Sequence, residues 1–217
     1  MLSLLSAIHQ DASYHLFADP AGSLLSNLAF ALAGALGLRQ WSPLNPRRRL
    51  AFGGCLLVAL GSAWYHANPC DSSLLWDRLP MTLVFAAVFT EAVASFRSER
   101  LAECLLLPFA GVGLASVCWW HFTGDLRPYA VVQFGPMLAI PILIGLRRPG
   151  SPSPWPWWHM LALYTLAKLL EASDVSVFGL TGGLVGGHTL KHLSAAAALW
   201  AWNRRPGPQS PRSMSKS

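Results

Sequence analysis

Gly186-Gly187-His188-Thr189-Leu190-Lys191-His192 runs directly into Leu193-Ser194-Ala195-Ala196-Ala197-Ala198-Leu199-Trp200 near the end of the chain. On a helix, residues four apart lie one above the other on the same face. His188 and His192 are such a pair, at the head of an apolar run. Two imidazoles stacked in this way can grip one metal ion. The same spacing also arises where histidines cap a helix or are hydrogen-bonded in a core, so the rest of the chain has to decide between these readings.

The 217 residues are 53% hydrophobic and only 12% charged, whereas soluble domains carry about 25% charged residues. Too little polar surface is left to cover a globule in water, so this is a membrane-protein composition. Ten tryptophans agree with it, because Trp gathers at membrane interfaces. In such a protein a net charge of +6 marks cytoplasmic loops rather than a nucleic-acid site. Residues 1–8 have no basic n-region and only a short apolar stretch, so they do not read as a signal peptide. Cys55, Cys70, Cys104 and Cys118 form no C-x2-C pair, which argues against a cysteine zinc site. Cys55 and Cys104 read as packing residues. Cys70 and Cys118 fall on one side of the membrane, where a disulfide between them is open on sequence alone.

A membrane-spanning helix needs about 20 mostly apolar residues. Seven candidates are present: 21–38, 50–67, 76–96, 101–121, 128–146, 155–172 and 182–202. The break at Arg97-Ser98-Glu99-Arg100 is very short, but those charges would be costly in hydrocarbon. Orientation follows from Lys and Arg in the short loops. Twelve fall on one side: Arg39, Arg47, Arg48, Arg49, Arg97, Arg100, Arg147, Arg148, Arg204, Arg205, Arg212 and Lys216. The other side has two, Arg78 and Arg127. This predicts an all-α bundle of seven transmembrane helices, N-terminus outside and C-terminus cytoplasmic. It forms one domain, residues 1–203, with no internal repeat, followed by a basic, Pro/Ser-rich, disordered tail, 204–217.

Polar groups inside such helices are expensive and mark function. Here they gather at one depth. The second segment ends Gly61-Ser62-Ala63-Trp64-Tyr65-His66, in which Ser62 and His66 again share a face. The third begins Trp76-Asp77-Arg78-Leu79-Pro80-Met81. With His188 and His192, this places three histidines, an aspartate and a serine near the outer leaflet. Three histidines and a water complete a tetrahedral zinc site with an open position, and zinc lowers the pKa of that water to about 7. Asp77 is placed to take or relay the proton, and Ser62 to donate to a developing oxyanion. Taken singly, Ser62 would be a packing residue, Asp77 a helix cap and His66 an interfacial histidine. Their coincidence on one membrane face weighs against all three.

The pattern Ser62-x3-His66, Asp77 and His188-x3-His192 resembles the signature of the alkaline ceramidase family. That family belongs to a superfamily of seven-helix membrane hydrolases that includes the adiponectin-receptor-like proteins. The entry Pro20-Ala21-Gly22-Ser23-Leu24-Leu25-Ser26-Asn27-Leu28-Ala29-Phe30, with its Ser-Asn pair, is similar to the family's first helix. Gly187-His188-Thr189-Leu190-Lys191-His192-Leu193 is similar to the last helix of bacterial members. The resemblance covers nearly the whole chain. It implies Zn2+ on His66, His188 and His192, with Asp77 and Ser62 assisting amide hydrolysis of ceramide or a related lipid amide. A fatty acid and a sphingoid base would be released. One departure stands out. Animal and fungal members carry an acidic, Trp-containing calcium motif ahead of the first helix. Here Asp11-Ala12-Ser13-Tyr14-His15-Leu16-Phe17-Ala18-Asp19 has only Asp11 and Asp19, which leaves calcium doubtful.

Glu171 and Asp174, at the outer end of the sixth segment, read either as carboxylate partners of a histidine N–H or as interfacial groups. Lys191 points to a neighbouring helix and a partner such as Glu171, and Lys168 to Glu91 or to the interface by snorkelling. Tyr129 and Gln133 share a face of the fifth segment. His9, His15, His121 and His159 read as interfacial. The leading expectation is an integral-membrane zinc amidase whose partners are its lipid amide substrate and the bilayer, with its site near the non-cytoplasmic face. The alternatives are a seven-helix zinc-containing receptor or sensor without turnover, and a bis-histidine haem cytochrome. A transporter is disfavoured by the lack of repeats.

Overall fold

A computed structural model describes residues 17–40 and 45–203. The described residues are all-helical, with no strand. The elements are α1 (Pro20–Leu25), α2 (Asn27–Gln40), α3 (Pro46–Ala67), α4 (Asp71–Phe96), α5 (Glu99–Thr123), α6 (Arg127–Gly145), α7 (Trp155–Ala172), α8 (Asp174–Leu180) and α9 (Gly187–Asn203). Five stretches are long and apolar enough to cross a membrane: α1 with α2, then α3, α4, α5 and α6. The remaining long helices, α7 and α9, have 18 and 17 residues. Each of the seven predicted segments thus coincides with a helix or, for the first, with a helix pair broken at Ser26. The tail 204–217, with Asp11, His9 and His15, lies outside the described residues.

Local signals explain the helix ends. Asn45 caps α3 by accepting from the backbone N–H of Arg48, and Pro46 follows as its first helical residue. Ser98 caps α5, which ends on Gly124 at a φ of 74°, a conformation that favours glycine. The final helix starts at Gly187, five residues later than expected. Gly182 and Gly183 carry positive φ, and the Thr181 hydroxyl bonds to both the N–H and C=O of Val185, making a turn of that stretch. The short helix α8 was not anticipated.

Helix α3 packs along α4, α9 along α7, and α2 and α5 flank the pair formed by α3 and α4. Phe52, Phe96, Trp157 and Trp202 fill the core at the end where α3 begins, with ring centroids 5.7–6.0 Å apart. The same end corrects the placement of two arginines. Arg47 and Arg48, read as loop residues, lie in the first turn of α3 and are 4% and 3% exposed. Glu91 of α4 takes Arg47 Nε at 2.8 Å and Arg48 Nε at 3.3 Å. Glu99 takes Arg47 at 2.5 Å, and Asn203 accepts from Arg48 and donates to Gln40. Glu91 therefore pairs with the arginines, while Lys168 pairs with Glu171 of its own helix. All four cysteines are free thiols, Cys70 and Cys118 included.

At the other end, α3 and α4 touch backbone to backbone. A Cβ on Gly61 would stand 2.1 Å from the carbonyl oxygen of Trp76. Pro80 lacks the N–H that would normally bond that carbonyl from one turn on, so the exposed Trp76 oxygen and the bare Gly61 backbone are matched. Gly61→Val should push α3 and α4 apart and cost about 1–3 kcal/mol or more, because a carbonyl cannot move aside as a side chain can. Gly53→Ala, which meets nothing within 4 Å, should be neutral or stabilising. Thermal unfolding of both variants in detergent measures the difference.

Candidate metal centre

His66 lies one residue before the end of α3, and His188 and His192 in the first turns of α9. The two helix ends meet. Ring centroids are 4.9 Å apart for His66 and His188, 5.0 Å for His66 and His192, and 4.9 Å for His188 and His192. One ligand atom from each lies within 4.8 Å of the other two. The approach of α9 again depends on absent side chains, since a Cβ on Gly187 would meet the Leu170 carbonyl oxygen of α7 at 2.2 Å.

The environment of each ring bears on whether a metal fits. His66 is 7% exposed, and both its ring nitrogens are buried with no hydrogen-bond partner. A neutral imidazole so placed carries an unmet donor and an unmet acceptor, each costly. A metal ion on one nitrogen removes the unmet acceptor. His192 is 1% exposed and has its Nδ1 2.7 Å from Ser26 Oγ. Ser26 Oγ also lies 3.0 Å from the Ser23 carbonyl, and with its one proton on that carbonyl it accepts from Nδ1–H. In that tautomer the His192 Nε2 lone pair is left for a ligand. Lys191 Nζ donates to His188 Nε2 at 3.1 Å, so a metal taken up at that nitrogen would compete with Lys191 for one lone pair. Three imidazole nitrogens in a buried group can bind a metal ion.

Two residues outside the expected set hold the centre in place. Asp19 caps α1 through the N–H of Gly22 at 2.8 Å and accepts from the Thr189 hydroxyl at 2.9 Å and from the N–H of Gly186. Burial raises its pKa, but the bonds from Gly22, Thr189 and Gly186 outweigh this and hold the carboxyl below its ordinary value. Asp19 is thus committed to the α1–α9 junction, and its calcium-motif companion Asp11 is outside the described residues. Phe17 packs its ring on His66 and His188, at centroid distances of 4.2 and 4.7 Å. Polar residues interrupting the apolar entry 20–30 were the available signal for Ser26. Nothing comparable marks Phe17.

The structure also sorts the outer carboxylates. Asp174 accepts from the backbone N–H groups of His188 and Ala18, at 2.8 and 3.1 Å. Glu171 pairs with Lys191 at 2.8 Å, as expected, and with Lys168. Ser62, Asp77 and His192 line one cavity of about 120 Å³, which is otherwise walled largely by apolar side chains from α4, α6, α7 and α9. Ser62 is buried and within hydrogen-bonding reach of the Asp77 carboxylate. Tyr129 and Gln133 are both buried on α6. Gln133 bonds the Tyr164 hydroxyl at 3.1 Å and lines the cavity, while Tyr129 sits beside Met81 and below Arg78. His121 and His159 are exposed and stand apart from the cluster.

No protein-family model, curated protein or solved structure matches this chain.

Purified protein should carry about one divalent metal ion per chain by elemental analysis, and His66→Ala should abolish it. Ser26→Ala should weaken metal affinity roughly 10–100-fold while Ser26→Thr retains it, because the lost partner is the one that orients His192. Competition with a chromophoric chelator reads both.

Proposed function

We propose that this chain is an integral-membrane, metal-dependent hydrolase of lipid amides, similar in kind to the ceramidases its sequence resembles, with zinc as the metal. The observation that carries the reading is the His66 ring, buried without a hydrogen-bond partner. It faces two further imidazoles at about 5 Å, and one of these, His192, lines a cavity together with Asp77 and Ser62.

His66, His188 and His192 would hold the ion, leaving a fourth position. A bound zinc supplies an acidified water and polarises a carbonyl. The protein supplies the remainder. The apolar cavity takes an aliphatic chain out of the bilayer and keeps bulk water from the reacting amide. Asp77 accepts the proton of the attacking water and returns it to the leaving amine, which would otherwise depart as an unstable anion. Ser62 donates its single proton to the Asp77 carboxylate and holds it in one orientation; once Asp77 carries the proton taken from water, that hydroxyl is released to donate to the amide oxygen instead.

In this reading seven helices cross the membrane, α7 and α9 included. Arg47 and His66 lie 19 residues apart on α3, or about 28 Å at 1.5 Å per residue. The metal centre is therefore at the opposite end of the bundle from the basic loops, which is the non-cytoplasmic face if the basic loops are cytoplasmic.

Protein reconstituted in liposomes should release fatty acid from ceramides or other N-acyl lipids, and a chelator should stop the release. Asp77→Asn should lower turnover at least 100-fold while retaining the metal, since a general acid–base contributes about 10²–10⁴-fold. A metal-loaded protein that cleaves nothing in a broad N-acyl lipid panel would instead be a receptor or sensor with a structural ion.

A further inference from the structure

Lys168 of α7 and Lys191 of α9 both line the cavity, and both lean on one carboxylate. Glu171 Oε1 accepts from Lys191 at 2.8 Å, and Oε2 accepts from Lys168. Both lysine side chains are largely covered, being 31% and 18% exposed. Each ammonium has three N–H donors. Glu171 and His188 account for two on Lys191, and Glu171 for one on Lys168. Three donors remain on two cations that share Glu171 as their hydrogen-bonded counter-ion, while Asp77 balances the charge of the cavity without bonding to either lysine. Charged donors held in a low-dielectric wall strongly favour an acceptor. Asp77, the other charged group lining the cavity, is on α4 beside Ser62 of α3. The space between is lined by Met81, Val84, Phe85, Met137 and Met160.

We propose that Lys168 and Lys191 form a carboxylate-binding subsite, and that its ligand is a long aliphatic chain ending in a single carboxylate. The donors match, since N–H groups of two ammonium ions stand against the two oxygens of one carboxylate. The lining matches as well, since its apolar side chains suit an aliphatic chain and the two lysines offer N–H donors from two side chains to the two oxygens of one head group. Two sources share this chemistry: a free fatty acid, and an acyl amide that carries a carboxylate on its amine side. Identifying the free acid as the product of amide cleavage rests on the function proposed above. The binding itself does not, and it is measured with the metal removed.

The test is saturable binding of radiolabelled palmitate to the full chain in detergent with chelator present, with methyl palmitate, N-palmitoylglycine and hexadecyl phosphate as competitors. Palmitate or N-palmitoylglycine should bind at least roughly tenfold more tightly than methyl palmitate, the scale of a hydrogen bond to a charged group. The tighter of the two identifies the source. Lys168→Met should weaken palmitate to the level of methyl palmitate while leaving methyl palmitate unchanged, which shows that the cavity is intact. Glu171→Gln should tighten palmitate several-fold, because it removes the competing anion, whereas a merely structural Glu171 would give loss or no change. Equal binding of palmitate and its methyl ester overturns the proposal, as does tighter binding of the phosphate, or a Glu171→Gln chain that binds palmitate no better than the parent. A protein that binds palmitate but hydrolyses no amide keeps the subsite and refutes the reaction; one that hydrolyses amides but does not distinguish the acid from its ester does the reverse.

Discussion

Three imidazoles with centroids about 5 Å apart require the helix backbones behind them to touch. Everything at the candidate site follows from that constraint. Gly61 rests against the Trp76 carbonyl and Gly187 against the Leu170 carbonyl, both closer than any side chain allows. In a membrane, helices gain little from burying apolar surface against one another, so close backbone approach and polar contacts carry more of the association. The glycines thus bring α3 onto α4 and α9 onto α7, and the ends of α3, α4 and α9 carry, in turn, Ser62 and His66, Asp77, and His188 and His192.

Two polar clusters sit at opposite ends of the bundle and are built differently. Around Glu91 the charges are closed: Arg47, Arg48, Glu99, Asn203 and Gln40 bind one another across α2, α3, α4, α5 and α9. Breaking such a set leaves a buried charge and costs about 3–5 kcal/mol, so it pins the register of those helices. The cluster around the histidines is open by comparison. His66 has two unmet nitrogens, and the lysine pair has more donors than Glu171 can receive. A polar group whose bonding capacity exceeds what its neighbours use is a site for something else.

The histidine pair in α9 and the Ser62–His66 pair in α3 were legible because helical spacing alone puts each pair on one face. Convergence of the two pairs came from counting spans, which gave the depth of each helix end. The expected helices also stand where hydropathy placed them. What hydropathy hid were places where polar groups satisfy each other across the bundle. Arg47 and Arg48 looked like a loop because their partner Glu91 is 43 residues or more away in the chain. Ser26 looked like part of an apolar entry, and its role depends on a helix break that no local pattern fixes. Lys168 read as a partner of Glu91 or as snorkelling to the interface, when a carboxylate three residues along its own helix, Glu171, was the nearer choice.

The run Arg47-Arg48-Arg49 has one further consequence. On the proposed orientation it presents three positive charges to the insertion machinery while the chain is still unfolded, when topology is decided. Once α3 packs against α4, two of the three are withdrawn into the bundle and neutralised. The folded surface keeps only Arg49 from that run, so the signal that orients the chain and the charge that later attracts an anionic leaflet are carried by different residues. A substitution of Glu91 would therefore leave the direction of insertion untouched, yet leave Arg47 with Glu99 alone and take from Arg48 the carboxylate that bonds its Nε.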